Sequence, residues 1–152
     1  MNKQGGFTLI EVLIAVVILA VGLLGMASLS LSSLQSSQGA ALRSQASSLA
    51  SDLGERLRAN RAFAVSNGTD YLLAINAAAT SKPVCADNVA GCDAAGQAQR
   101  DLFEWRTSLT NNLPGGTAVI TKPGTRQYQL VLTWSEAGNR NAVSSYTLRI
   151  DL

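Results

Sequence analysis

Met1-Asn-Lys-Gln-Gly-Gly-Phe-Thr-Leu-Ile-Glu11 opens directly onto a run from Val12 to Gln35 in which no residue is charged, almost wholly Val, Ile, Leu, Ala and Gly as far as Met26. About 20 apolar residues are what an α-helix needs to cross the hydrocarbon core of a bilayer. A carboxylate at the threshold of such a run is costly, so Glu11 calls for a cationic partner. An ordinary signal anchor with Lys3 held inside would explain the length of the run. A cleaved secretory signal would find a small-residue site at Gly25-Met26-Ala27. Neither reading explains Glu11, because an acid placed between a basic start and an apolar core works against both.

Beyond the apolar run the composition changes without a break in periodicity. Leu42, Ala46, Leu49, Leu53 and Leu57 recur in steps of three and four, the spacing of one helical stripe. Asp52 with Arg56 and Glu55 with Arg58 are spaced to pair along a helix, each worth a few tenths of a kcal/mol. The first proline is Pro83. The spacing therefore predicts one helix from about Phe7 to about Arg61, ~80 Å long at 1.5 Å per residue. Gly22, Gly25, Gly39 and Gly54 each weaken it by about 0.8–1 kcal/mol relative to alanine. Arg56, Arg58 and Arg61 read as a solvated helix end, where cations meet the negative pole of the helix dipole.

Once the first 35 residues are set aside, about 120 remain, enough for one small core. The formal charge of +2 gives no electrostatic case for a nucleic-acid partner. The absence of histidine removes Ser-His and Cys-His catalytic pairs and histidine zinc sites. No cofactor or metal is expected, and no catalytic residue. Asn67-Gly68-Thr69 reads as a turn before a short apolar patch, Tyr71 to Ile75. Cys85 and Cys92 are predicted to form a structural disulfide outside the cytoplasm, since a zinc site lacks two further ligands and a redox pair would more often be Cys-x-x-Cys. Asp93 is the expected N-cap of a second helix through Asn112, with Ala98, Leu102, Trp105 and Leu109 on one side and Asp101, Glu104 and Arg106 on solvated faces. Leu113-Pro-Gly-Gly116 ends it. The remainder reads as an antiparallel meander: Thr117 to Lys122, a Pro123-Gly124 turn, Gln127 to Trp134, a loop from Glu136 to Asn141, and Val143 to Leu152. In the last two strands Tyr128, Leu130, Leu132, Trp134, Tyr146, Leu148 and Ile150 alternate toward one face.

The order Lys3, Gly5-Gly6, Phe7, three uncharged residues and Glu11 resembles the class III signal of type IV prepilins. Arg58-Ala-Asn-Arg61, Asp101-Leu-Phe-Glu-Trp105 and Leu113-Pro-Gly-Gly116 resemble the PilV group of type IV pilus minor pilins. The resemblance implies an α+β type IV pilin fold, a long helical spine packed on a small antiparallel sheet. It further implies a leader, 1–6, cut between Gly6 and Phe7, N-methylation of Phe7, and pairing of Glu11 with the terminal amine of a neighbouring subunit. Residues 7–35 would form the transmembrane or filament-core half of the helix, and 36–152 the head. Many major pilins have a helix-bending proline after the apolar core, where this chain has Ser28 and further serines. The implied role is a non-catalytic subunit that starts in the inner membrane, head in the periplasm, and moves to the extracellular pilus. Its implied partners are prepilin peptidase, the inner-membrane assembly platform, other minor and major pilins that prime assembly, and a tip adhesin. A pseudopilin of a type II secretion system would share signal, spine and sheet. A membrane-anchored adhesin or DNA-uptake pilin would need a concentrated basic or aromatic surface.

Overall fold

A computed structural model describes residues 8–74, 81–87, 91–136 and 139–152 of the 152-residue chain. Gly6, Phe7 and the end of the 71–75 apolar patch lie outside the described residues. Helix α1 spans Leu9–Ala59, α2 Arg61–Asn67 and α3 Ala94–Asn112; strands β1, β2 and β3 span Thr117–Gly124, Gln127–Glu136 and Asn139–Asp151. Two short 3₁₀ turns, Gly68–Tyr71 and Val84–Asp87, lie between α2 and α3. The chain divides into two compact units, residues 1–38 and 39–152. In the first, the large apolar side chains from Leu9 to Leu34 are exposed.

The second unit contains the core. Its α1 portion buries Ala46, Leu49, Ala50, Leu53, Gly54 and Leu57, the expected stripe plus two small residues on the same face. Each leucine sealed there contributes roughly 1.5–3 kcal/mol. From α3 come Ala98, Leu102, Trp105 and Leu109, and the indole Nε1–H of Trp105 donates to the Leu49 carbonyl at 2.8 Å. The sheet is an antiparallel meander in the order β1-β2-β3. Tyr128, Leu130, Leu132 and Trp134 of the central strand are buried, opposite Ile150, Leu148, Tyr146 and Ser144 of β3. A one-residue slip would turn all four outward, so the core itself fixes the register.

Several boundaries differ from the sequence expectation, each for a local reason. The spine ends at Ala59 because Asn60 turns its amide to the Tyr71 hydroxyl (3.1 Å) and the Ala94 carbonyl (2.7 Å), and a separate α2 follows. Asn67 ends α2, and Gly68 and Thr69 begin a 3₁₀ turn, instead of forming an open turn. Strand β1 runs on to Gly124 with an irregular register between Thr121 and Gly124; Pro123, which has no N–H to give, falls inside that irregularity. Strand β3 begins at Asn139, paired with Glu136, so Asn139 to Asn141, expected in a loop, belong to the strand. Leu73, from the apolar patch, exchanges both backbone hydrogen bonds with Ile120 (3.1 and 2.9 Å), a bridge outside the meander that periodicity did not suggest.

Cys85 and Cys92 are joined by a disulfide with a Cα–Cα distance of 4.9 Å. It fastens the Val84–Asp87 turn to the residue before Asp93, which caps α3 by accepting from the Gly96 N–H at 2.8 Å. A Cβ on Gly96 would lie 2.8 Å from Cys85 Sγ and 2.9 Å from Asp93 Oδ1. A Cβ on Gly54 would meet only ordinary contacts, the nearest at 3.6 Å. Gly54→Ala is therefore expected to raise stability by about 0.5–1 kcal/mol through helix propensity. Gly96→Ala is expected to lower it by about 1–3 kcal/mol through overpacking. Thermal denaturation of both variants in one detergent, followed by circular dichroism, checks the opposite signs.

Candidate assembly site and the polar cluster in the head

Glu11 stands in the first turn of α1, its N–H donating to the Thr8 carbonyl at 3.1 Å. A carboxylate there meets the positive end of the helix dipole. Val12, Ala15, Val16 and Leu19 adjoin it along the same helix surface. Among the described residues, no cation lies within ion-pair distance of Glu11. Helix α1 is also, among them, the one helix long and apolar enough to cross a membrane, and none of its most apolar window is buried in protein. That window is therefore not packed in a protein core, unlike the stretch from Ala46 to Leu57 of the same helix. Lipid, or the apolar helices of other subunits, is the medium such a surface requires.

The head has a second concentration of charge, and it corrects one expectation. Asp101, expected on a solvated face, is only 4% exposed. Its Oδ2 accepts from the Tyr71 hydroxyl at 2.7 Å, and its Oδ1 from Gln97 Nε2 at 2.8 Å and Arg56 Nη1 at 3.4 Å. Arg56, expected in a solvated helix end, also donates to Asp52 (3.1 Å) and Glu104 (3.0 Å), while Arg100 donates to Glu104 at 2.8 Å. Arg58 keeps its predicted exposed pair with Glu55 at 2.7 Å. The cluster ties α1, the Gly68–Tyr71 turn and α3 together through one buried carboxylate. The spacing itself carries a signal for this: Asp101 falls three residues after Ala98 and four before Trp105, on the stripe that faces inward.

Burial, with the Asp101 hydrogen bond next, pushes the Tyr71 hydroxyl well above its ordinary range, so it stays a donor. Tyr128 is pushed up to about 12 by burial and donates to the Ala64 carbonyl at 2.8 Å. Lys122 donates to the Ala64 and Val65 carbonyls (2.8 and 2.9 Å), closing the C-terminal end of α2. Every polar group in these clusters has a structural partner. Among the described residues no group of three His, Cys, Asp or Glu side chains could hold a metal.

A head held together by packing and internal hydrogen bonds, on a helix whose other part is dressed for an apolar medium, defines a structural subunit that is anchored or polymerised through its N-terminus. The prokaryotic N-terminal methylation motif matches residues 1–27, and the type IV pilin Tt1218 family matches residues 28–103, half of the chain. The chain belongs to the type IV pilins, which are structural proteins and not enzymes. No curated protein and no solved structure matches it.

Removing Asp101 leaves the buried Tyr71 hydroxyl without its acceptor, which typically costs about 1–3 kcal/mol, while Arg56 keeps Asp52 and Glu104. Asp101→Ala is thus expected to lower the urea midpoint of the head more than Glu55→Ala, whose pair is exposed and worth at most about 1 kcal/mol. Glu104 is held below the usual carboxylate range chiefly by its hydrogen bond from Arg100. Its contribution is complete above the unfolded glutamate value of about 4.3 and is lost as pH falls through the lower folded value. Glu104→Gln should leave a shallower acid limb in a plot of stability against pH.

Proposed function

We propose that this type IV pilin is a minor pilin of the PilV kind, made in the inner membrane with its head in the periplasm, cut after Gly6, N-methylated on Phe7, and incorporated into an extracellular pilus. The observation that carries this reading is Glu11, a carboxylate set into an exposed apolar helix within a matched methylation motif. Cutting after Gly6 creates an α-amino group on Phe7, and such an amine on a neighbouring subunit is a cation of the right size and charge for Glu11. In apolar surroundings the pair relieves a desolvation cost that neither charge could bear alone. Pairing also sets register, because leucines and valines slide past one another while a buried charge has one low-energy position. In this reading residues 1–6 are the leader, 7–35 the membrane and filament segment, and 36–152 the head. The subunit joins other minor pilins in a priming complex at the fibre tip, beside an adhesin.

The test is intact-mass analysis of full-length protein made with and without prepilin peptidase, joined to its recovery in sheared pili. Wild type is expected to begin at N-methylated Phe7 only when peptidase is present, and Gly6→Leu to stay uncut. Glu11→Ala is expected to be processed and folded yet depleted from pili by about tenfold or more, the loss of one buried pair. Normal recovery of Glu11→Ala would sink the pairing; a chain starting after Ala27 would sink the prepilin reading.

A further inference from the structure

The face of the sheet turned away from the core carries a polar hollow near the β1–β2 turn. Tyr128 and Ile150 are buried, so their chain neighbours Gln127, Gln129, Arg149 and Asp151 face outward by strand alternation. Gln129 stands directly opposite Arg149, and Gln127 opposite Asp151. The four form a block about 5 Å across and about 7 Å along the strands. The irregularity in β1 supplies a side wall. Two residues separate Thr121 from Gly124 where one separates their partners Gln129 and Gln127, and an extra residue of this kind re-aims side chains. Lys122 goes to the Ala64 and Val65 carbonyls, while Pro123 joins the four and Tyr128 around a pocket of about 320 Å³. Gln127 is seated against Gly124, where a Cβ would lie 3.2 Å from its Oε1. Elsewhere in the head Arg43, Arg56, Arg58, Lys82 and Arg100 all pair with carboxylates. Arg149 and Asp151 are of opposite sign and two apart on one face, yet among the described residues neither makes an ion pair, and neither glutamine side chain makes a hydrogen bond.

We infer that this pocket binds a sugar that carries a carboxylate, of the uronic acid class. A guanidinium takes a carboxylate through two parallel N–H donors and fixes its plane. Asp151 accepts from hydroxyls, and each carboxamide both donates and accepts, which matches a ring of hydroxyls that do the same. Pro123 offers an apolar wall to the C–H face of the ring. Ligand pockets begin at about 300 Å³, so the hollow takes a ligand of mono- or disaccharide size. Three other classes fit less well. An apolar ligand would strip water from four polar side chains and give them no partner. An inorganic anion on Arg149 would face Asp151 as a like charge. A free amino acid has both charges on one carbon, and two groups placed to hold them would be close enough to pair with each other, which Arg149 and Asp151 do not. A sugar acid has its carboxylate at one end and hydroxyls at the other, the order in which Arg149 and Asp151 stand.

The pocket lies within the head, so its occupancy depends neither on Glu11 nor on processing. Full-length protein, in a detergent without a sugar headgroup, would be titrated with digalacturonate, with its neutral counterpart galactobiose, and with acetate, and followed by amide NMR shifts. Digalacturonate is expected to shift the amides of residues 124–129 and 149–151 saturably and to bind about tenfold or more tighter than the other two. Arg149→Gln should remove the preference for the acid, and Asp151→Asn should weaken both sugars. Arg61→Gln, at an exposed arginine outside the pocket, should change neither. Amide shifts outside the pocket report that each variant is folded. Acetate binding as tightly as digalacturonate would overturn the sugar, and galactobiose doing so would overturn the acid. No saturable shift with any of the three, or shifts that survive Arg149→Gln unchanged, would overturn the site.

Discussion

One helix has to satisfy two media. Along α1 the backbone hydrogen bonds are made within the helix, so a single element can leave hydrocarbon and enter a protein core without exposing an unpaired amide or carbonyl. Only the side chains need to change. They do so between Met26, where the aliphatic run ends, and Ala46, where burial begins, through a stretch rich in serine. Ser30 returns its hydroxyl to the Met26 carbonyl at 3.0 Å, satisfying itself locally in the part of the helix that has neither a protein core nor a charged face. The head is built to suit this helix: a sheet with one apolar face needs a cover, and the stripe Ala46 to Leu57 is that cover.

A domain of this size has a small apolar core, and the structure supplements it with specific attachments between elements distant in sequence. Trp105 fills volume and also donates to the α1 backbone. Asp101 takes hydrogen bonds from the Gly68–Tyr71 turn, from its own helix and from α1. The disulfide and the Asp93 cap fix the start of α3 within one turn of each other. Packing alone would let α3 slide along its axis at little cost; a buried carboxylate with three donors does not permit that. The cluster is thus a positional device.

Local periodicity made most of the fold legible, and its failures have a common cause. The stripe on α1, the cap at Asp93 and the alternation in β2 are all patterns contained within a single element, and a pattern of that kind is visible in sequence. Asp101 reads as solvated from sequence because its partners Arg56 and Tyr71 are far away along the chain, and its charge outweighs its position on the stripe. Asn60 ended the spine through contacts with Tyr71 and Ala94, and Leu73 formed its bridge with Ile120, again pairings between distant segments. At the amino terminus the signal is of a different kind, a short string of particular residues instead of a periodicity, and the methylation motif spans it.

The same physics governs an apolar helix and a strand edge, and it gives them different specificities. An apolar helix surface is non-directional and accepts lipid or another apolar helix alike; under the proposed assembly, a charge such as Glu11 is what would choose one register. A strand edge is directional from the start, since each amide and carbonyl has a fixed spacing and the alternation of side chains permits only every second residue to face the core. A subunit that relied on its helix alone could join any bundle of similar helices. Selectivity among neighbours would then have to come from directional groups, and in this chain most of those lie in the head, where backbone edges and charged side chains have fixed positions.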